Sequence, residues 1–311
     1  AVVVDPASDW PLFAEKTREL LTVDKVDVIF GCWTSVSRKS ALPVLEELNG
    51  LLFYPVQYEG EESSKNVFYT GAAPNQQAIP AVDYYLEELG VKKFALLGTD
   101  YVYPRTTNNI LEAYLISKGI PKEDIFVNYT PFGHSDWSKI VSDVVALGAD
   151  GKKVGVVSTI NGDANIGFYK ELAAAGVTAD KLPVIAFSVG EEELSGLDTT
   201  NLVGHLAAWN YFMSADTPEN KAFIEGWHAF IKDDKRVTND PMEATYIGFN
   251  MWVNAVTAAG TTDVDTVSLA MIGQKFPNLT GGTAEMLANH HLTKPVLIGE
   301  IRADGQFDII S

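Results

Sequence analysis

The stretch that decides the fold is KFALLGTDYVYPRTTNN, residues 93–109. Its first part, KFALLG at 93–98, is a continuously apolar run, as in strands that are covered on both faces. Polar and aromatic residues follow at once, among them Asp100, Tyr101 and Tyr103. Because loops at the ends of buried strands tend to carry function, the stretch predicts a binding loop after a strand of a layered α/β protein.

The same alternation of β-branched runs and amphipathic helical runs continues along the chain. Strands are predicted at 1–5, 26–31, 51–56, 66–71, 93–98, 124–129, 154–159, 182–188 and 202–209. Helices are predicted to start at Ser8 or Asp9, at Ser135 or Asp136, and at Thr217 with Pro218. This order of elements indicates parallel sheets flanked by helices, in two sets. The segment VLIGEIRADGQFDII instead predicts a hairpin around Asp304 and Gly305.

Length and charge narrow the range of functions. A chain of 311 residues suits two domains. A net charge of −18 repels phosphate backbones and anionic lipid, so nucleic acid and membrane surfaces are poor partners, and no tract is long enough to insert into a membrane. The single cysteine, Cys32, excludes an intrachain disulfide and leaves the compartment open.

The residues that follow the predicted strands are the candidates for a site, because ligands of open parallel sheets bind beyond the carboxyl ends of the strands. These residues are Trp33, Thr34 and Ser35; Tyr54, Gln57 and Tyr58; Thr99, Asp100, Tyr101 and Tyr103; Asn161 and Asp163; and Ser188 with Glu191, Glu192 and Glu193. They are aromatics, hydroxyls, amides and a few carboxylates, with almost no cations. Such a lining suits a small, neutral, polar ligand.

Segments along the whole chain resemble the urea-type substrate-binding proteins of ABC importers and, more distantly, the short-chain-amide sensors of amidase operons. The segments are GCWTSVSRKS, LFYPVQYEGEESSKNVFYTGAAPNQQ, GTDYVYPRTTN, PFGHSDW, STINGDAN, AFSVGEEEL, VGHLAAWNYF, NDPMEATYIGFNMW and TGGTAEM. The resemblance implies a two-lobed type I periplasmic-binding-protein fold, in which three crossover segments join two α/β lobes that close on a ligand in the cleft. It also implies a role at the periplasmic or extracellular face of the membrane, with an ABC permease as partner.

The resemblance also places the lobe boundaries. We expect crossovers near Thr70–Pro74, Ala207–Phe212 and Leu279–Ala284, with lobe one at 1–72 and 211–279 and lobe two at 73–210 and 280–311. Family members begin with a strand and helix that precede the segment AVVVDPASDWPLF, so we expect a first strand-helix unit to be missing from this sequence.

Binding positions carried over from the resemblance are Trp33, Ser35, Tyr54, Tyr101 and Ser188, and we add Thr34 and Tyr103 as neighbours. Two departures favour urea, whose second NH2 group needs extra acceptors: Gln57 stands where the sensors have proline, and Asp163 adds a carboxylate. Glu191 completes the set. Each residue has a simpler interpretation. Trp33 and Tyr54 could be core aromatics, Ser35, Asp163 and Ser188 helix caps, and Glu191 a solvated helix start.

Other functions find little support in the sequence. His134, His290 and His291 lack metal-ligand spacing, and neither a phosphate-binding glycine loop nor a G-x-S-x-G motif is present, so we predict no metal, no cofactor and no enzyme activity. The sequence leaves one rival open, a cytoplasmic amide-sensing regulatory protein of the same fold.

Overall fold

The computed structural model describes residues 1–196 and 198–311. The helices are α1 (Trp10–Thr22), α2 (Ser35–Leu48), α3 (Ala78–Glu87), α4 (Val102–Ser117), α5 (Ser138–Leu147), α6 (Ala164–Ala174), α7 (Glu191–Leu194), α8 (Pro218–Ile231), α9 (Asp240–Ala259) and α10 (Val264–Met271). The strands are β1 (Ile29–Phe30), β2 (Leu52–Tyr54), β3 (Val67–Tyr69), β4 (Lys93–Thr99), β5 (Ile125–Thr130), β6 (Val154–Thr159), β7 (Val184–Ala186), β8 (Leu206–Trp209), β9 (Lys275–Pro277), β10 (Thr283–Glu285), β11 (Leu297–Ile301) and β12 (Phe307–Ile309).

The chain folds into two compact units. Unit one comprises Ala1–Ala72 and Asp240–Pro295, and unit two comprises Ala73–Asn239 and Val296–Ser311. The first boundary lies where the sequence places it. The other two differ from the expected lobes, since residues 211–239 belong to unit two and residues 280–295 to unit one.

Side-chain packing explains the first of these differences. The ring of Phe212 lies 4.6 Å from that of Phe307, inside the core of unit two. The Met213 N–H donates to Glu191 Oε1 at 2.6 Å. The segment that follows β8 is therefore held to unit two before the chain reaches α9.

A short hairpin explains the second difference. Strands β9 and β10 pair antiparallel, with Ala284 opposite Phe276. Ala284, Met286 and Leu292 are buried in the core that α9 and α10 cover. The sequence analysis did not predict these two strands, which are three residues each.

Unit one is built on a three-stranded parallel sheet in the order β1-β2-β3. Phe53 and Phe68 stack across β2 and β3 with their rings 5.1 Å apart, and Ile247 and Met251 of α9 share the same core. The predicted strand at 1–5 is wrong. These residues pair with no described strand, and Val3 is 91% exposed, because an apolar run becomes a strand only where a neighbour takes its backbone hydrogen bonds.

Unit two is built on a seven-stranded sheet in the order β12-β11-β8-β7-β6-β4-β5. Strands β8, β7, β6, β4 and β5 run parallel, whereas β11 and β12 are antiparallel. The predicted C-terminal hairpin is confirmed, with Ile301 opposite Phe307 and with Gly305 at φ 76° in its turn. Alternate residues of β4 enter two different cores: Leu97 lies in one and Leu96 in the other. This arrangement accounts for the continuously apolar run.

The close approach of β4, β6 and α4 needs Gly98. A Cβ at that position would lie 2.5 Å from Thr159 Oγ1 and 2.6 Å from Pro104 Cβ. The glycine therefore lets the loop from 100 to 101 start directly beside the end of β6. Tyr101, Asn161 and Ser188 consequently follow three parallel strands at the same edge of the sheet.

The predicted helix starts agree with the structure at two of three places. Asp9 caps α1 by accepting from the Leu12 N–H, and Thr217 caps α8 by accepting from the Asn220 N–H. Helix α5 begins later than predicted, at Ser138, because Asp136 instead accepts from the Ser138 N–H and hydroxyl in the preceding turn. Within the described residues, every helix is too short or too polar to cross a membrane.

Buried His205 predicts a pH dependence of stability. The ring is 1% exposed, its Nδ1 accepts from the Val184 N–H at 3.1 Å, and burial lowers its pKa from 6.5 to about 4. Between these two pKa values the unfolded chain binds the proton and the folded protein does not, so stability falls as the pH drops through this window. At about pH 5 the loss is about 2 kcal/mol relative to neutral pH.

The measurement compares wild type with His205→Gln by guanidinium unfolding at both pH values. We expect wild type to lose more stability than the variant on acidification. Equal losses would show that His205 does not carry this pH dependence.

Candidate functional site

The first turn of α2 forms one wall of the candidate site in unit one. Cys32 adopts a left-handed φ of 62° and turns the chain after β1. Thr34 then caps the helix: its Oγ1 accepts from the Ser37 N–H at 3.2 Å, and its own N–H donates to Ser37 Oγ. Ser35 is therefore the first helical residue rather than the cap. The N–H groups of Ser35 and Val36 are the remaining donors of the first turn.

A buried ionic cluster lies directly beneath Ser35. Arg38 is fully buried and donates from Nη2 to Glu59 Oε1 at 3.2 Å and from Nε to Glu62 Oε1 at 2.8 Å. The Ser35 hydroxyl donates to the other oxygen of Glu59 at 2.5 Å. Lys39 donates to Glu62 at 2.9 Å and lies 3.6 Å from Glu59. Two cations therefore face two carboxylates, and the formal charges of the cluster sum to zero.

Three tyrosines enclose the same arginine. The Arg38 guanidinium carbon lies 4.5 Å from the ring centroid of Tyr54, 4.6 Å from that of Tyr58 and 5.9 Å from that of Tyr69. Tyr54 donates to the Trp33 carbonyl at 2.9 Å and Tyr69 donates to Glu62 at 2.8 Å. Cation–π contact of this kind stabilises a guanidinium that has left water.

The electrostatics of the cluster keep its charges in place. Burial would raise the pKa of the Glu62 carboxyl, but Arg38 and Lys39 hold it below its usual value. Burial likewise acts to lower the pKa of Arg38, whereas Tyr54, Glu62 and Glu59 raise it above its usual range. Burial raises the pKa of the Tyr54 hydroxyl, which stays neutral, and raises the pKa of the Cys32 thiol to about 11.

His291 supports the aromatic wall from the C-terminal part of unit one. Its ring lies 4.7 Å from that of Tyr69 and is stacked on it, and its Nε2 accepts from the Tyr58 hydroxyl. Its Nδ1 donates to the Asn289 carbonyl at 2.8 Å, and burial lowers its pKa. His291 is therefore neutral and holds Tyr58 in place.

The residues that the sequence predicted in unit one occupy different depths. Ser35 is 1% exposed, and Tyr54 and Gln57 are also buried, whereas Trp33 is 45% exposed. The expectation of almost no cations is wrong, because Arg38 lies at the centre of the cluster. Two features of the sequence could have predicted the cluster. Ser35 and Arg38 are three residues apart on one helix face, and an acidic run, EGEE at 59–62, follows β2.

In unit two, three predicted strand-end residues form a chain of hydrogen bonds. The Tyr101 hydroxyl donates to Asn161 Oδ1 at 3.0 Å, and Asn161 Nδ2 donates to Ser188 Oγ at 3.0 Å. The Asn161 N–H donates to Thr99 Oγ1 at 2.9 Å, which fixes the amide at the ends of β4 and β6. The Phe132 ring lies 5.0 Å from that of Tyr101. The structure thus brings together groups from the loops after β4, β6 and β7.

Of the other predicted residues of unit two, Tyr103 lies beside this chain, with its ring 6.2 Å from that of Tyr101. Tyr103 is buried, and Glu191, also buried, is bonded to the Met213 N–H rather than solvated. Asp163 is exposed and precedes α6 without a side-chain cap bond. Asp163 also lines a cavity of about 460 Å³ beside α6 and α7, together with Tyr169 and Glu193.

Comparison with known proteins places the chain in a family. The model of the periplasmic binding protein domain matches residues 1–311, so the chain belongs to the periplasmic binding protein family. Leu/Ile/Val-binding protein homolog 6 of Brucella melitensis is 22% identical over 302 residues, which are 96% of this chain and 74% of that protein. Limonene hydroxylase of Geobacillus stearothermophilus is 35% identical over 107 residues, which are 34% of this chain and only 19% of that protein.

Solved structures support the fold. The solute-binding protein of an ABC transporter from Rhodopseudomonas palustris HaA2, in complex with p-hydroxybenzoic acid, has a TM-score of 0.86 and 20% identity over 99% of this chain and 83% of that chain. The expected fold class is confirmed: a two-lobed α/β periplasmic binding protein fold with mostly parallel sheets flanked by helices. Family and fold neighbours are substrate-binding proteins rather than enzymes, and the match to limonene hydroxylase is partial.

The buried arginine predicts a large effect on stability. Arg38→Met would leave the Glu59 and Glu62 side chains, which are 1% and 7% exposed, without their main counter-charge, so the free energy of unfolding should fall by about 3–5 kcal/mol. The control is Arg18→Met, since Arg18 pairs with Glu47 on the surface at side-chain exposures of 45% and 57%. In guanidinium unfolding, Arg38→Met should have a clearly lower midpoint than wild type, whereas Arg18→Met should unfold near the wild-type midpoint. A similar small shift in both variants would contradict a structural role of the cluster.

Proposed function

We propose that this protein captures urea or a short-chain amide at the extracytoplasmic face of the membrane and delivers it to an ABC permease. The candidate binding groups are Ser35 and the first turn of α2 in unit one, and Tyr101 and Ser188 in unit two. The role as the solute-binding component rests on family membership and on the resemblance noted in the sequence.

The single observation that carries the choice of a neutral solute is the balanced charge beneath Ser35. Proteins that bind carboxylates commonly present an uncompensated cation or a charge-assisted pair to the ligand. Here the guanidinium of Arg38 is committed to Glu59 and Glu62 and is fully buried. The cluster therefore offers hydrogen bonds without net positive charge, which favours a neutral amide over a carboxylate.

The names of similar proteins favour a second candidate, an amino acid or an aromatic acid. The Brucella relative is named for leucine, isoleucine and valine, and the Rhodopseudomonas structure contains p-hydroxybenzoic acid. Both ligand types carry a carboxylate, so the two candidates differ in the charge of the ligand and can be separated by one titration.

Small ligands set a ceiling on the affinity. Urea has four heavy atoms, so at roughly −1.5 kcal/mol per atom its binding free energy reaches about −6 kcal/mol at most. Each unmet buried donor would cost about 1–3 kcal/mol of this. Tight binding therefore requires that every N–H of the ligand meets an acceptor.

Calorimetric titration with urea, acetamide, leucine and p-hydroxybenzoate tests the proposal. We expect urea to bind with a Kd on the order of tens of micromolar, and the two carboxylates to bind at least about tenfold more weakly. Tyr101→Phe should weaken urea binding about tenfold, because it removes the hydroxyl that joins Asn161.

The matched control is Tyr114→Phe in α4, the helix that Tyr101 directly precedes; the Tyr114 hydroxyl donates to Asp83 at 2.7 Å. This control should bind urea as wild type does. Preferential binding of leucine or p-hydroxybenzoate would overturn the choice of ligand in favour of the second candidate. Unchanged urea affinity in Tyr101→Phe would remove Tyr101 from the site.

A further inference from the structure

The proton of the Ser35 hydroxyl is already committed within the protein. Ser35 Oγ lies 2.5 Å from Glu59 Oε2, and both side chains are 1% exposed. Arg38 Nη1 donates to the same Oγ at 3.4 Å. A serine hydroxyl has one proton to donate and two lone pairs to accept with.

The direction of the Ser35–Glu59 hydrogen bond follows from the charges around it. Glu59 lies 3.2 Å from Arg38 and 3.6 Å from Lys39. A carboxylate that bonds two cations acts as a hydrogen-bond acceptor, so the serine hydroxyl donates to it. Ser35 can then offer a ligand only a lone pair.

We propose that Glu59, held by Arg38, sets the ligand specificity of the site by making Ser35 an obligate acceptor. The solute group that meets Ser35 Oγ must then be an N–H donor. This inference rests on the proposed function and deepens it, because it assigns the discrimination between an amide and a carboxylate of the same shape to two positioning residues that do not touch the solute.

Acetamide and acetate are the most informative pair of ligands for testing whether Ser35 Oγ requires an N–H donor, since they have the same shape and differ in one terminal group. The amide nitrogen of acetamide donates to the Ser35 lone pair. An acetate oxygen at the same place would face that lone pair with a lone pair of its own, and the serine proton could reach it only by leaving Glu59. We expect wild type to prefer acetamide over acetate by about 100-fold or more.

The alternative is that Glu59 only holds Arg38 in place and has no effect on ligand specificity through Ser35. Substitution of Glu62 is the control for this alternative. The Glu62 side chain is 7% exposed and also bonds Arg38, at 2.8 Å, but its hydrogen bonds go to Arg38, Lys39 and Tyr69 rather than to Ser35. A substitution that only loosens Arg38 should act alike at both positions. Both substitutions remove one negative charge from the cluster, but only the one at Glu59 also frees the serine proton.

The experiment titrates acetamide and acetate into wild type, Glu59→Gln and Glu62→Gln at neutral pH. In Glu59→Gln the new amide can donate to Ser35 Oγ and release the serine proton towards a ligand. The preference for acetamide over acetate should then fall by about tenfold or more. Glu62→Gln leaves the cluster with the same formal charge of +1 as Glu59→Gln but keeps the serine proton on Glu59, so its ratio should fall clearly less than that of Glu59→Gln. A ratio that is unchanged in Glu59→Gln, or that falls equally in both variants, overturns the inference.

A second measurement needs neither a variant nor a ligand. Neutron diffraction from a deuterated crystal of the wild-type protein should place a deuteron on Ser35 Oγ that points to Glu59. A deuteron on Glu59, or a serine deuteron that points elsewhere, overturns the inference. If wild type binds neither urea nor acetamide, the proposed function fails. The position of the deuteron still shows, independently of any ligand, whether the Ser35 hydroxyl donates to Glu59.

Discussion

The burial of Arg38 is the constraint on which the candidate site of unit one depends. A guanidinium that is withdrawn from water is tolerated only where charge and hydrogen bonds compensate it. Glu59 and Glu62 supply the charge, and the faces of Tyr54 and Tyr58 supply contact. One side chain thereby joins the first turn of α2, the end of β2 and the loop that leads to β3.

The same compensation determines what the site can recognise. Because the cluster is neutral, the hydroxyl of Ser35 acts through hydrogen bonding rather than through charge. Unit two presents groups of the same kind in the Tyr101, Asn161 and Ser188 chain. Both units thus offer polar, uncharged groups at the ends of parallel strands, which is the chemistry that a small neutral amide requires.

Much of the fold was predictable from the sequence, because strands covered on both faces read as continuous apolar runs. This rule located β4 and β6 and, through them, Tyr101 and Asn161. It failed for residues 1–5, since an apolar run does not reveal whether a neighbouring strand will pair with it. It also missed β9 and β10, which are too short to show a period.

The ionic cluster was harder to predict than the strand-end groups. Arg38 and Glu59 are separated by 21 residues. Arginine and glutamate are usually exposed, so neither residue type by itself indicates burial. Only the fold reveals that they are buried together. The unit boundaries at 240 and 295 were missed for a related reason, since side-chain packing of Phe212 and Leu292 sets them.

The most direct test of the account is a crystal structure of the protein grown with urea. We predict that a urea nitrogen lies within hydrogen-bond distance of Ser35 Oγ. A urea molecule bound only in the cavity beside α6 and α7, or one that meets Ser35 Oγ with its carbonyl oxygen, would contradict the account.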